Sequence, residues 1–123
     1  MKVLFLGTGG SMGIPYIGCS CRVCTSSNTK NNRLRPSILI EENGKRYLVD
    51  SGPDFRAQAL KHQIDRIDGL LLTHTHYDHI AGLDELRIYT FIHKKPIPCL
   101  LSRESLEELK VRYHYFLPSH EKD

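Results

Sequence analysis

The sequence has no tryptophan, only two methionines and no long apolar run. Crossing a bilayer takes about 20 consecutive apolar residues, and the core of a secretory leader about 7–15. The opening Met1-Lys2-Val3-Leu4-Phe5-Leu6 offers four after the lysine before Gly7 interrupts it. It reads as a first strand; no membrane is expected as a partner, and the expected location is cytoplasmic. A strong charge of either sign is missing too: 17 Lys and Arg against 14 Asp and Glu leave a formal net charge of +3. That balance does not favour nucleic acid as the partner. Lys30, Arg33 and Arg35 share one loop, where solvation explains them more simply than an anion-facing rim. Hydrophobic residues at 40% and charged residues at 25% exclude a disordered chain.

Disulfides are equally poorly served. Cys19 and Cys21 are one residue apart and cannot easily bridge each other. Cys19, Cys21 and Cys24 together have the spacing of three thiolate ligands to one tetrahedral zinc. Such a site would staple residues 14–36, a long loop too poor in apolar side chains to order itself. Three unrelated buried thiols are the alternative, and the polar surroundings speak against it. Cys99 is a local candidate for a fourth ligand, although its apolar strand suggests ordinary burial.

What is present is an alternation of short elements. Lys2 to Leu6 is a strand ending in the turn Gly7-Thr8-Gly9-Gly10. Met12 and Gly13 then break the spacing that a dinucleotide fingerprint needs. Ser37–Glu41 and Arg46–Val49 flank Asn43-Gly44 as a hairpin. Pro53 opens a helix whose apolar side is Phe55, Ala59, Leu60 and the nearby Ile64. Gly69–Thr73 is a short buried strand. A helix is expected from Ile80 to about Tyr89 and a strand over Pro96–Leu101. A last helix from Arg103 has Ser102 as N-cap and Leu106, Leu109, Tyr113 and Phe116 on one side. The order β, ββ, α, β, α, β, α fits a layered α/β domain.

His74-Thr75-His76-Tyr77-Asp78-His79 carries the chemistry. A loop leaving a strand points alternate side chains the same way, so His74 and His76 can hold one ion. Asp78 and His79 turn the corner and can hold a second. Two ions about 3.5–4 Å apart clamp both oxygens of a displacement at phosphorus or carbon. The bland alternative, three surface histidines beside a carboxylate, does not explain why an apolar strand aims the run at a sheet end.

Thr73-His74-Thr75-His76-Tyr77-Asp78-His79, with Gly82 three residues on, resembles the signature of the metallo-β-lactamase-fold hydrolases. Asp50, at a strand end, resembles that superfamily's first motif, a carboxylate that orients the metal loop. The resemblance implies an α/β fold of the αβ/βα sandwich type, with a dinuclear site between its sheets. Gly7-Thr8-Gly9-Gly10-Ser11, Gly18-Cys19-x-Cys21-x-x-Cys24, Arg35-Pro36-Ser37, Asp50-Ser51-Gly52-Pro53-Asp54-Phe55-Arg56 and Gly82-Leu83-Asp84-Glu85-Leu86-Arg87 narrow it. Together they are similar to the phosphoribosyl cyclic phosphodiesterases of phosphonate breakdown, to which a cofactor-biosynthesis branch is related.

The implied activity is hydrolysis of a small cyclic or nucleotide-like phosphodiester. His74, His76, Asp78 and His79 would hold two Zn²⁺ or Mn²⁺ ions, and Asp78 would also orient the attacking water and take its proton. The resemblance implies further ligands from a C-terminal half: a histidine, a bridging aspartate and a last histidine. His93, His114 and His120, in a polar turn, a helix and a tail, do not offer those motifs. The expectation for residues 1–123 is therefore the N-terminal half of one hydrolase domain: a mixed sheet with helices on one face. Its other face would be uncovered, so self-association is expected, and the chain alone would be inactive. The runner-up is the tRNA 3′-processing endonuclease of the same superfamily. Its members show Gly-Glu-Gly-Thr where this chain has Gly52-Pro53-Asp54-Phe55. Glyoxalase-type thioester hydrolases share only the histidine motif. A reading from another class is a non-catalytic metal-binding fragment.

Overall fold

The structure, a computed structural model, describes residues 1–115 and 117. Phe116 and His120, expected on the last helix and in the tail, lie outside the described residues. The elements run β1 (Lys2–Gly7), β2 (Ser37–Glu42), β3 (Lys45–Val49), α1 (Phe55–Lys61), β4 (Gly69–Leu71), α2 (Tyr77–Ile80), α3 (Arg87–His93), β5 (Cys99–Leu100) and α4 (Arg103–Arg112), with short 3-10 turns at Thr29–Asn31 and Leu83–Leu86. They form one mixed sheet in the order β1-β2-β3-β4-β5. The first three strands are antiparallel; β3, β4 and β5 are parallel. Asn43 and Gly44 make the β2–β3 turn with φ of 48° and 73°. Positive φ at both central residues is what a two-residue hairpin needs to match strand twist.

The register sorts the side chains onto two faces. Leu4, Leu39, Leu48 and Leu70 are successive partners across the sheet. Leu39 is 1% exposed and Leu48 is fully buried. Phe55 of α1, Ile80 of α2, Tyr89 of α3 and Leu109 of α4 complete that core. Phe55 and Tyr89 meet edge to face at 6.3 Å between ring centres, and the Tyr89 hydroxyl donates to the Ile64 carbonyl at 2.6 Å. The other face carries Val3, Ile40 and Tyr47 in one row and Phe5, Ile38, Val49, Leu71 and Leu100 in the next. Among these, Phe5 is 66% and Leu100 70% exposed.

Five expectations need correction. The helix foreseen over residues 80–89 is broken into α2, a 3-10 turn and α3. The break falls at Gly82, whose N–H donates to the Ser51 carbonyl at 2.8 Å instead of continuing α2. Leu60 does not face the core; Gln58 does, because its Nε2 donates to the Arg35 carbonyl at 3.0 Å. The strand over Pro96–Leu101 shrinks to two residues, since both prolines lack the N–H a ladder uses. Cys99 on that edge strand is exposed rather than buried. Arg35, too, is no solvated loop cation: its backbone N–H and Nη1 hold Asp54 at 2.8 and 3.0 Å.

An apolar sheet face without a cover favours self-association. Phe5→Ser combined with Leu100→Ser should shift sedimentation at tens of micromolar toward monomer. Both side chains are already exposed, so thermal stability should hold within about 0.5 kcal/mol. A parent chain that is monomeric at that concentration would contradict the expectation.

Candidate metal centre

Because β3 and β4 are parallel and adjacent, the residues that follow them emerge side by side. Val49 pairs with Leu71. One residue on, Asp50 turns with φ of 60°, a left-handed conformation that short polar side chains tolerate best. Its N–H donates to the Leu71 carbonyl at 2.9 Å. The turn sends its carboxylate, 4% exposed, under the loop that leaves β4.

Asp50 Oδ1 accepts the Thr73 N–H at 2.8 Å, and Oδ2 accepts the Thr73 hydroxyl at 2.7 Å. His79 Nδ1 also lies 2.7 Å from Oδ2. An ionised carboxylate only accepts, so His79 Nδ1 carries the proton. The Thr73 hydroxyl has one proton and gives it to Asp50, so His74 Nδ1, 2.9 Å from that oxygen, donates to it. In both rings Nδ1 is thereby the nitrogen engaged by the protein, which leaves Nε2 as the atom a metal would take. Thr73, which opens the Thr73-to-His79 signature, has no role of its own in the sequence reading, and the structure shows it linking Asp50 to His74. Its signal was a hydroxyl residue at the strand end directly before the first histidine.

The rings gather. His74 is 4.6 Å from His76 and 4.1 Å from His79 between ring centres. His79 Nε2 faces Asp78 Oδ2 at 3.2 Å. Two acceptors at that distance repel unless a cation or a proton lies between them. The donor set thus fits a divalent ion in its chemistry, and His79 and Asp78 present two donor atoms at ligand spacing. His93 is elsewhere, with Nε2 2.9 Å from the Asp65 carbonyl. His114 follows the end of α4 and packs on Tyr115.

Backbone contact holds Asp78 and His79 in place. Ser51 N–H donates to the His79 carbonyl at 2.8 Å, and Gly82 N–H returns to Ser51. A Cβ on Gly52 would stand 2.1 Å from the Asp78 carbonyl oxygen, and one on Gly82 would stand 2.0 Å from the Gly52 oxygen. Only glycine lets these two segments close to that distance.

Cys19, Cys21 and Cys24 form a second group, with their sulfurs all within 4.8 Å of one another. Cys24 N–H reaches Cys21 Sγ at 3.4 Å, and Tyr16 N–H reaches Cys24 Sγ at 3.4 Å. The Cys24 amide, with the Cys19 and Cys24 side chains, lowers the Cys21 thiol to about 7. Cys24 is raised: the Tyr16 amide lowers it, but desolvation and the two neighbouring thiols outweigh that. Cys99 does not join the group; its Sγ approaches the Ile97 carbonyl at 3.4 Å.

A mixed sheet with parallel strand ends presenting His-x-His-x-Asp-His over a buried aspartate defines a class of fold and site. The chain belongs to the metallo-β-lactamase fold superfamily: the family model described as beta-lactamase superfamily domain matches residues 45–122. It is 44% identical over 116 residues to an octanoyltransferase of Porphyromonas gingivalis, a match covering 94% of this chain and 23% of that protein. Its fold is similar to the crystal structure of a diphosphatase from the PhnP family, with a TM-score of 0.88 and 42% identity. That match covers 92% of this chain and 46% of the other. Zinc-bound PqqB from Methylobacterium extorquens follows at a TM-score of 0.76 and 26% identity, covering 90% of this chain and 40% of that one. The chain thus spans less than half the length of each of these relatives.

The glycine contacts are directly testable. Gly82→Ala should cost about 3 kcal/mol or more in chemical denaturation, because backbone lies against the new methyl. Gly10→Ala meets nothing within 4 Å and should stay within about 0.5 kcal/mol. Equal effects at the two positions would mean that the close approach does not matter.

Proposed function

We propose that this chain carries the histidine half of a metal-dependent hydrolase site that cleaves a small phosphodiester, cyclic or nucleotide-like. His74, His76, Asp78 and His79 would hold two divalent ions, zinc or manganese. The observation that carries this is the gathering of the His74, His76 and His79 rings, with Nδ1 of His74 and of His79 held by Thr73 and Asp50 so that each Nε2 is left for a ligand. The 3.2 Å between His79 Nε2 and Asp78 Oδ2 is near the edge of a tetrahedron with bonds of ~2.0–2.2 Å, about 3.4 Å, which supports the reading that both would serve one ion. When bound, such ions polarise a phosphoryl oxygen and supply a nucleophile at neutral pH. Asp78 is the carboxylate placed to orient the attacking water and accept its proton. Asp50 is not, because its oxygens are already committed to Thr73 and His79. The similarity to a diphosphatase supports chemistry at phosphorus. The same motif supports the tRNA-processing alternative, but the cysteine group and Gly52-Pro53-Asp54-Phe55 weigh toward the phosphodiesterase branch.

Cys19, Cys21 and Cys24 would hold a structural zinc, with amide N–H···S contacts stabilising the thiolates as such sites require. Serine at all three positions should remove about one zinc per chain, read by metal analysis, and loosen residues 14–36 to protease. Unchanged zinc content would refute it.

Activity is tested on bis-p-nitrophenyl phosphate and a cyclic ribose phosphate. In the full length that the gene encodes, Asp78→Asn should lower kcat by on the order of 10³-fold. Chelation should abolish turnover, and zinc or manganese should restore it. The 123-residue chain alone should be slower by a similar factor, since two protein ligands per ion fall short of the usual three. Turnover indifferent to Asp78→Asn and to chelation would overturn the hydrolase reading. Metal-dependent turnover by the 123-residue chain at the full-length rate would overturn only the half-site reading.

A further inference from the structure

Thr75 stands between His74 and His76 yet is only 9% exposed. Its hydroxyl donates to Glu108 Oε2 at 2.5 Å, and its carbonyl accepts Arg112 Nη1 at 2.9 Å. Glu108 and Arg112 lie one turn apart on α4 and pair with each other at 3.5 Å. The neighbouring Tyr113 hydroxyl donates to the Ile80 carbonyl at 3.0 Å. The end of α4 therefore holds the loop at residue 75 and again at residue 80, on either side of His76, Asp78 and His79.

We propose that Glu108 and Arg112 are positioning residues for the metal loop, gripping Thr75 so that the histidines flanking it present their rings together. This rests on the metal reading of the loop given above. Successive side chains of an extended segment alternate in direction, so fixing both hydroxyl and carbonyl of Thr75 sets where residues 74 and 76 point. Asp50 holds His79 directly and His74 through the Thr73 hydroxyl, but bonds nothing of His76 in this network. The α4 contacts supply that missing restraint. A charged acceptor for the threonine hydroxyl and a charged donor for its carbonyl make both bonds stronger than neutral ones. Groups that orient ligands from behind in this way typically change metal affinity by about 10–100-fold when removed.

The test is Mn²⁺ affinity, read from the free-ion electron paramagnetic resonance signal on the full length that the gene encodes. Manganese prefers oxygen and nitrogen donors, so the cysteine group does not compete for it. Thr75→Val keeps the shape and removes the hydroxyl; Thr75→Ser restores it. Glu108→Gln removes the charge at a half-exposed position and keeps an oxygen there. The dissociation constant should rise about 10–100-fold in Thr75→Val and several-fold in Glu108→Gln, and return to the parent value in Thr75→Ser. The metal-free thermal midpoint, measured alongside, separates this from simple loosening of α4. A lowered midpoint with unchanged Mn²⁺ affinity in both Thr75→Val and Glu108→Gln would overturn the proposal and leave the metal site standing. Failure of the parent protein to bind Mn²⁺, or binding untouched by His76→Ala, would overturn the metal reading and this proposal with it.

Discussion

The structure depends on one buried carboxylate in an uncomfortable place. Asp50 ends β3 in a left-handed conformation that costs an L-residue roughly 1–2 kcal/mol. It lies almost wholly out of water. What offsets both costs is the set of bonds it accepts from Thr73 and His79. Charge-assisted hydrogen bonds are worth about 1.5–3 kcal/mol each, so the conformation is affordable only with the histidine loop in place. The same contacts tie the end of β3 to the end of β4 and to α2. They also choose the ring nitrogens that face outward. Stability of the strand ends and chemistry of the loop are therefore one arrangement.

Around that carboxylate the backbone is packed without side chains. Ser51-Gly52 and Asp78 to Gly82 approach until only hydrogens separate them. This accounts for the short α2: its continuation would carry Gly82 away from Ser51. It also explains why a stretch with helical composition is delivered as three short pieces. The core beneath, from Phe55 to Leu83 and Leu86, tolerates the break because each piece still contributes an apolar side chain to it.

Much of this was legible in the sequence because it was local. The hairpin follows from Asn43-Gly44 and the strand alternation around it. The histidine spacing and the strand before it indicated donors gathered at a sheet end, and Asp50 stood out as a carboxylate closing a strand. What was not legible depends on partners distant in the chain. Gln58 displaces Leu60 from the core because a carbonyl at Arg35 needs a donor. Gly82 breaks a helix because of Gly52, thirty positions earlier. Cys99 is exposed because its strand is an edge with one open face, which apolar composition alone does not reveal. The grip of Glu108 on Thr75 spans 33 residues, and no periodicity announces it.

The donors are arranged entirely by contacts among the described residues. Asp50 and Thr73 fix two rings, the glycines fix Asp78 against Ser51, and α4 reaches the loop from the other end. If these donors serve a metal as proposed, such a scaffold would restrain them before any ion arrives, so binding would not have to order a loose loop. Two ions, however, need more than four donors, and an open apolar sheet face lies beside this scaffold. A covering layer of apolar inner side chains would bury that face and, from its own strand ends, bring additional donors to the same edge. On the proposed reading, one such layer would answer both the physical demand of the sheet and the coordination demand of the loop.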